Sequence, residues 1–151
     1  MIMKVKVKKL NENAVIPFKT YEKDFCYDVV AVSEEEVAPN VWKYGIGLAF
    51  QIDKESLFGH RYLNLSIDLR PRSSVWKTGM VLSNCEGTID ELYTGEVYAV
   101  FYHVFPNMER YKVGQRIGQI KIGTTMPLEF VVVDELDETE RNDGGYGSTG
   151  C

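Results

Sequence analysis

Apolar and polar positions alternate with a period of two along most of this chain. Met3, Val5 and Val7 alternate with lysines, and Leu63, Leu65, Ile67 and Leu69 alternate with Asn64, Ser66 and Asp68. Further on, Val97, Ala99 and Phe101 interleave with Tyr98, Val100 and Tyr102, and the alternation returns from Ile117 to Ile122. Segments of this kind set one face on a core and the other toward solvent or another subunit. Turn signals separate them at Ala38-Pro39-Asn40, Phe105-Pro106-Asn107, Val113-Gly114 and Gly123 to Pro127. Strands recurring at about 8 to 12 residues predict a sandwich or jelly-roll barrel. No window of about 11 to 18 residues sustains a helical period. Ser73 to Thr78 is the exception in miniature, expected to form a turn or two of helix capped by Ser73 or Ser74. The expected fold class is all-β.

Composition narrows this picture. A chain of 151 residues with 44% apolar and 26% charged residues is a single globular domain by length and too apolar for a disordered one. The last stretch departs from it: Asp134 to Glu140 is acidic, and Arg141 to Cys151 (RNDGGYGSTGC) has almost no aliphatic residue. The expected organisation is a β body over residues 1–134 and a flexible C-terminal arm over 135–151. The net charge of −5 argues against a nucleic-acid or anionic-membrane surface, though not against a small anion held by a few local cations. No apolar run is long enough to span a bilayer, and the lysine-rich start lacks an apolar signal region. The three cysteines (Cys26, Cys85, Cys151) and two histidines (His60, His103) are too scattered for a disulfide framework or a zinc clip. Reduced thiols in a cytoplasmic protein are the expectation.

Five segments could carry chemistry, and each has a plain alternative. In the tail, Gly144, Gly145 and Gly147 let backbone N–H groups approach an anion, Ser148 and Thr149 add hydroxyls, and Arg141 adds a charged fork. Tyr146 offers a face for a base to stack on. The alternative is a solvated linker. Pro71-Arg72-Ser73-Ser74 sets an Arg and two hydroxyls where a helix begins, suited to phosphate oxygens, or is an ordinary cap. Asn84 to Glu96 carries Asp90, which could polarise a water beside a polyphosphate, or is a hairpin with a turn aspartate. Gln119, after Val113-Gly114, could donate to a phosphate, or is edge-strand polarity. Asp28, after Phe25-Cys26-Tyr27, is the fifth, or sits in a surface turn.

In chain order these segments resemble the five motifs of the homotrimeric dUTP pyrophosphatases (dUTPases). The resemblance is carried by Phe25 to Val29, Pro71 to Ser74, the intact Gly-x-Ile-Asp-x-x-Tyr-x-Gly from Gly87 to Gly95, the run Gly114, Arg116, Ile117 and Gln119, and Arg141 with Gly144 to Gly150. It implies a jelly-roll-like distorted β-barrel subunit, a homotrimer with shared active sites, and Mg²⁺-dependent hydrolysis of dUTP to dUMP and pyrophosphate. Such an activity limits uracil in DNA and supplies dUMP for dTMP synthesis. It further implies that Asp90 activates the water that attacks the α-phosphorus and that Asp28 holds Mg²⁺ through its water shell. Arg72, Ser73, Ser74 and Gln119 would bind phosphate oxygens, Ser73 near the leaving group. Asn84, the backbone of Gly87, Thr88, Ile89 and Asp90, and the strand at Tyr98 would read uracil, and Tyr93 would pack under deoxyribose. Arg141, Gly147, Ser148 and Thr149 would close over the phosphates while Tyr146 covers the base.

The residue types suit that chemistry. A triphosphate brings about four negative charges, and Mg²⁺ with Arg72 and Arg141 supplies as many positive ones locally. In-line displacement needs positioning and electrostatic stabilisation rather than a Cys or His nucleophile. Departures from the motifs are Cys26 and Ser74 in place of glycines, and Asn142-Asp143 in place of small residues. Ser56 to Tyr62 and His103 to Tyr111 carry no assigned role. Two other classes stand beside hydrolysis: the related dCTP deaminases, and a nucleotide-binding trimer without turnover, toward which only the departures lean.

Overall fold

The structure, a computed structural model, describes residues 2–56 and 63–144. The described strands are β1 (Lys4–Lys9), β2 (Tyr27–Val30), β3 (Ser33–Ala38), β4 (Val41–Gly45), β5 (Leu48–Asp53), β6 (Asn64–Arg70), β7 (Met80–Leu82), β8 (Gly87–Asp90), β9 (Tyr98–His103) and β10 (Arg116–Thr125). Short 3₁₀ turns occupy Lys54–Ser56 and Val75–Thr78. The strands form a β1-β5 ribbon and two four-stranded sheets, β2-β10-β6-β8 and β3-β4-β9-β7. The pairings within them are antiparallel. This is the expected all-β barrel-like architecture.

The period-two pattern explains how the sheets meet. Leu65, Ile67 and Leu69 of β6 are buried and face Tyr44, Leu48, Phe101 and Ile117 in one apolar core. Their neighbours Ser66 and Asp68 turn to the opposite face, where β10 brings Gly123 level with Ser66 and Lys121 level with Asp68. Alternation on a twisted sheet thus buries one set of side chains and lays the other out as a polar face.

Several local expectations need correction. Ser73 to Thr78 yields only the 3₁₀ turn Val75–Thr78, and Ser74 stands at its cap without a side-chain hydrogen bond to it. Gly79 ends it at φ +63°, where a Cβ would meet the Phe105 carbonyl at 2.7 Å. So short a turn has no appreciable dipole, so any anion held there is held by the Arg72, Ser73 and Ser74 side chains and not by a helix N-terminus. Gly123 lies inside β10 rather than in a turn, because a Cβ there would come within 2.4 Å of the Asp68 carboxylate and 2.5 Å of the Ser66 hydroxyl. Gln119 is not on an edge, since β10 lies between β2 and β6. Asp28 belongs to β2 and not to a surface turn. β3, rich in glutamate, has no apolar alternation to announce it. It forms by pairing with β4, supported by Lys43–Glu35 at 2.9 Å.

Asp68 is a buried carboxylate, 8% exposed, paired with Lys121 and accepting the Ser66 hydroxyl at 2.7 Å. Burial opposes its ionisation, but the Lys121 ammonium and the Ser66 hydroxyl outweigh that and hold the carboxyl below its ordinary range. Because the folded value lies below the unfolded one, this pair stabilises the fold fully above about pH 4 and ceases to as pH falls further. Lys121→Met is expected to cost about 3 kcal/mol at pH 7, by leaving a buried charge unpaired. The cost should shrink in urea titrations at about pH 3. A loss independent of pH would show that the lysine acts through packing alone.

Beyond β10 the chain leaves the compact body. Met126, Leu128, Phe130 to Val133 and Leu136 are all exposed, Phe130 at 89% and Val132 at 97%. Thr139 and Asn142 then close a local turn with reciprocal hydrogen bonds.

Candidate active site

Two separate sites assemble on this chain. The first is cationic. Register places Asp28 of β2, Gln119 of β10 and Arg70 of β6 side by side across the sheet. Arg72 follows β6 directly and donates from Nε to Asp28 Oδ1 at 3.2 Å. Arg116, from the start of β10, donates to Asp28 Oδ2 at 2.9 Å. The Asp28 backbone is itself fixed, exchanging hydrogen bonds with Phe18 at 2.7 and 3.3 Å. Gln119 Nε2 donates to the Pro71 carbonyl at 3.2 Å, tying the turn that carries Arg72 to the central strand. Ser74, with no capping duty, accepts from Arg72 at 3.4 Å, and Ser73 is exposed beside it. One carboxylate between two guanidiniums leaves a positive surplus, a setting for phosphate oxygens.

The glycine replacements here carry no backbone strain. Among the described residues, the non-glycine ones with positive φ are Asn40, Cys85 and Asn142, so neither Cys26 nor Ser74 needs a left-handed conformation. Arg116 lay in a recognised motif, yet its grip on Asp28 depends on β2 pairing with β10, which no local pattern reveals.

The second site is a cleft of about 310 Å³ floored by Leu69 and Val97 and walled by Asn84, Thr88, Tyr93 and Tyr98. Cys85, at φ +59°, reverses the chain into β8. β8 pairs with β6 on one side and is the last strand of its sheet. Its outer edge therefore presents backbone N–H and C=O groups, the kind of edge that can pair with a flat heterocycle. Tyr93 donates from its hydroxyl to the Glu96 carbonyl at 2.9 Å. Its ring crosses Gly95 so closely that a Cβ there would lie 2.6 Å from the phenol oxygen. Tyr98 donates to Glu96 Oε2 at 2.7 Å, a bond to a carboxylate that pushes the phenol up from its ordinary pKa. Glu96 also accepts the Gly47 N–H at 3.0 Å and so anchors both tyrosines' loop to the barrel. Nothing in the sequence pattern marked it for that role.

Asp90 ends β8 at the mouth of this cleft and is exposed. The turn behind it is tethered: Tyr93 N–H returns to the Asp90 carbonyl at 2.9 Å, and Glu91 pairs with Lys54 at 2.7 Å. On its other side Asp90 borders a cavity of about 880 Å³ that includes Ser66, Asp68 and Lys121.

Asp90 and Arg72 do not meet within one chain. Asp90 lies opposite Ser66, whereas Arg72 lies two residues past Arg70 at the far end of the same strand. At about 3.3 Å per residue their backbones are separated by roughly 15–20 Å. Asn84, Gly87, Thr88, Ile89, Asp90, Tyr93 and Tyr98 are thus brought together, and so are Asp28, Arg72, Ser74 and Gln119, but Asp90 is not brought to Arg72. Arg141 is exposed and donates to the Gly144 carbonyl at 2.7 Å. Tyr146, Gly147, Ser148 and Thr149 lie outside the described residues. Among the described residues no cluster of three or more His, Cys, Asp or Glu could cage a metal ion.

Comparison with known proteins gives one answer. The family model described as dUTPase matches residues 12–150. Among curated relatives, deoxyuridine 5'-triphosphate nucleotidohydrolase of Nautilia profundicola is 35% identical over 98% of this chain and 99% of its own length. The protein of the same name from Helicobacter pylori strain P12 is 32% identical over 98% and 97%. Among solved structures, the Staphylococcus bacteriophage 80alpha dUTPase with dUPNHPP has a TM-score of 0.78 at 23% identity, covering 98% of this chain and 99% of that one. A mutant dUTPase from phage phi11 of S. aureus, with a coordinated structural Mg(II) ion, has a TM-score of 0.69 at 19% identity, covering 89% and 99%.

Proposed function

Because this chain belongs to the dUTPase family and is a dUTP diphosphatase, we propose that Asp90 activates the water that attacks the α-phosphorus, in sites completed by neighbouring copies of the chain. The observation that carries this reading is the division of labour just described. The cleft at β8 is shaped for a base and sugar, and the Asp28–Arg72–Arg116 cluster for phosphates, yet one chain holds the backbones of Asp90 and Arg72 roughly 15–20 Å apart. Backbones that far apart leave the water on Asp90 and the Arg72 guanidinium of one chain badly placed to serve one phosphorus atom, which favours a site drawn from different protomers. That need calls for an oligomer, and the homotrimer of the family supplies one. The unpacked run from Met126 to Leu136 supports it, since so much contiguous exposed apolar surface marks an association segment.

Each residue then has a task. Uracil docks edge-on to β8, where backbone groups pair with its N3–H and O4 and Asn84 adds an amide. Tyr93 packs under the deoxyribose. Arg72, Ser73, Ser74 and Gln119 hold phosphate oxygens and stabilise the charge that develops on the leaving pyrophosphate. The arm, with Arg141, Tyr146, Gly147, Ser148 and Thr149, closes over the nucleotide and sheds water. Asp28 suits Mg²⁺ only through water: it is one hard carboxylate already engaged by two arginines, which matches an ion that keeps its water shell and arrives with the triphosphate. Bound there, Mg²⁺ would neutralise phosphate charge. The product dUMP feeds dTMP synthesis, and removal of dUTP limits uracil in DNA.

Selectivity follows from the strand edge. Cytosine would set a donor where uracil has an acceptor and leave backbone groups unpaired, each costing roughly 1–3 kcal/mol. Pyrophosphate release with Mg²⁺ is therefore expected from dUTP at about a hundredfold the kcat/KM for dCTP. Equal release from both, or ammonia release from dCTP, would overturn the reading.

A further inference from the structure

Tyr111 lies in the segment before β10 for which the sequence suggested no role. Its ring is core, 5% exposed, edge-on to Phe101 at 5.5 Å and to Tyr44 at 6.3 Å. Its backbone is pinned too. The Tyr111 carbonyl accepts the Tyr44 hydroxyl at 2.7 Å and the Arg110 guanidinium at 2.9 Å. Arg110 is held in turn by Glu34 at 3.0 and 3.1 Å and stacks 3.5 Å over Trp42. The phenol oxygen of this clamped ring is buried and has no hydrogen-bond partner, the one such side-chain atom among the described residues. Phenylalanine would fill the same volume without burying a hydroxyl, so packing gives no reason for the oxygen.

Arg72 shares a cleft with it. Tyr111 and Arg72 line one cleft of about 410 Å³ together with Ser74 and Arg116. Burial pushes the phenol above its ordinary pKa, and the Arg72 charge acts in the opposite direction, so the hydroxyl is neutral at pH 7. The ring cannot swing out to find a partner, but the arginine can move. Its bonds to Asp28 and Ser74, at 3.2 and 3.4 Å, are longer than the common N–H···O distance of about 2.9 Å.

We propose that Tyr111 is a positioning residue for Arg72. When a triphosphate draws the guanidinium off Asp28, one Arg72 N–H turns onto the Tyr111 phenol oxygen, and the others are left aimed at phosphate oxygens. This rests on the phosphate-binding role of Arg72 proposed above and assigns that role a second partner. A planar fork is useful only when its plane is set, and a rigid acceptor at its back sets it.

The test is Tyr111→Phe, with calorimetric binding of α,β-imido-dUTP and Mg²⁺ beside steady-state hydrolysis of dUTP. The Kd for the analogue and the KM for dUTP are each expected to rise about tenfold, with kcat within about twofold, since the lost bond is to a charged group. The melting temperature is expected to stay level or rise, because an unsatisfied hydroxyl has been removed. In an Arg72→Lys background, which keeps the charge and loses the fork, Tyr111→Phe should change the Kd by less than about twofold. An unchanged Kd in the single variant, or the same tenfold loss in the lysine background, overturns the proposal. Wild-type protein that binds the analogue but releases no pyrophosphate from dUTP would sink the hydrolytic reading alone and leave the Tyr111 measurement standing.

Discussion

Asp90→Asn is expected to lower the turnover of dUTP by about 10³-fold while leaving the Kd for α,β-imido-dUTP within about threefold, the range in which a positioned general base acts. Asparagine keeps the size and one oxygen of the aspartate but cannot take a proton from water. The substitution should leave the fold intact. β8 is held to β6 through its backbone, Asp90 is exposed, and no ion pair among the described residues involves it. A change in stability beyond about 0.5 kcal/mol is not expected of such a surface exchange. Turnover equal to wild type in a stopped-flow pyrophosphate assay would remove Asp90 from the reaction. A loss of analogue binding in step with turnover would make it a binding residue instead.

The second large effect is a recovery. Asp90→Asn and Arg72→Gln chains, each nearly inactive alone, are expected to regain activity when unfolded together and refolded as mixed trimers. A site that takes its cleft from one protomer and its cationic cluster from another is intact only when neither donor is mutated. With equal amounts of both chains that is one half times one half, or about a quarter of the sites. Sites confined to single chains predict no recovery, since every chain carries one lesion. Simple mixing without unfolding is the control, and it should stay inactive for as long as protomers do not exchange.

The strands that frame both half-sites could be read directly from alternation: Leu65, Ile67 and Leu69 against Ser66 and Asp68 fixes which face of β6 is buried. The motifs were equally legible, because Asp28, Arg72, Asp90 and Gln119 sit in short runs whose residue types have few other uses together. What stayed hidden depends on pairing across distance. Gly123 reads as a turn until Asp68 and Ser66 are seen against it. β3 has no apolar alternation of its own, and β4 and Arg110 supply its partners. Glu96 and Tyr111 carry no local mark, since their meaning lies in Tyr98 and in Arg72, residues that only folding brings near. The roles given to Tyr146, Gly147, Ser148 and Thr149 still rest on motif resemblance.

By itself, then, the order of residues determined an all-β chain with a polar and an apolar side to each strand, and which side chains carry charge, hydroxyls and amides for a nucleotide. Short-range periodicity and residue chemistry suffice for that, because both are properties of neighbours along the chain. Only the tertiary structure decided that Asp90 and Arg72 stand at opposite ends of β6. Antiparallel register sets that separation, and register is a relation between strands distant in sequence.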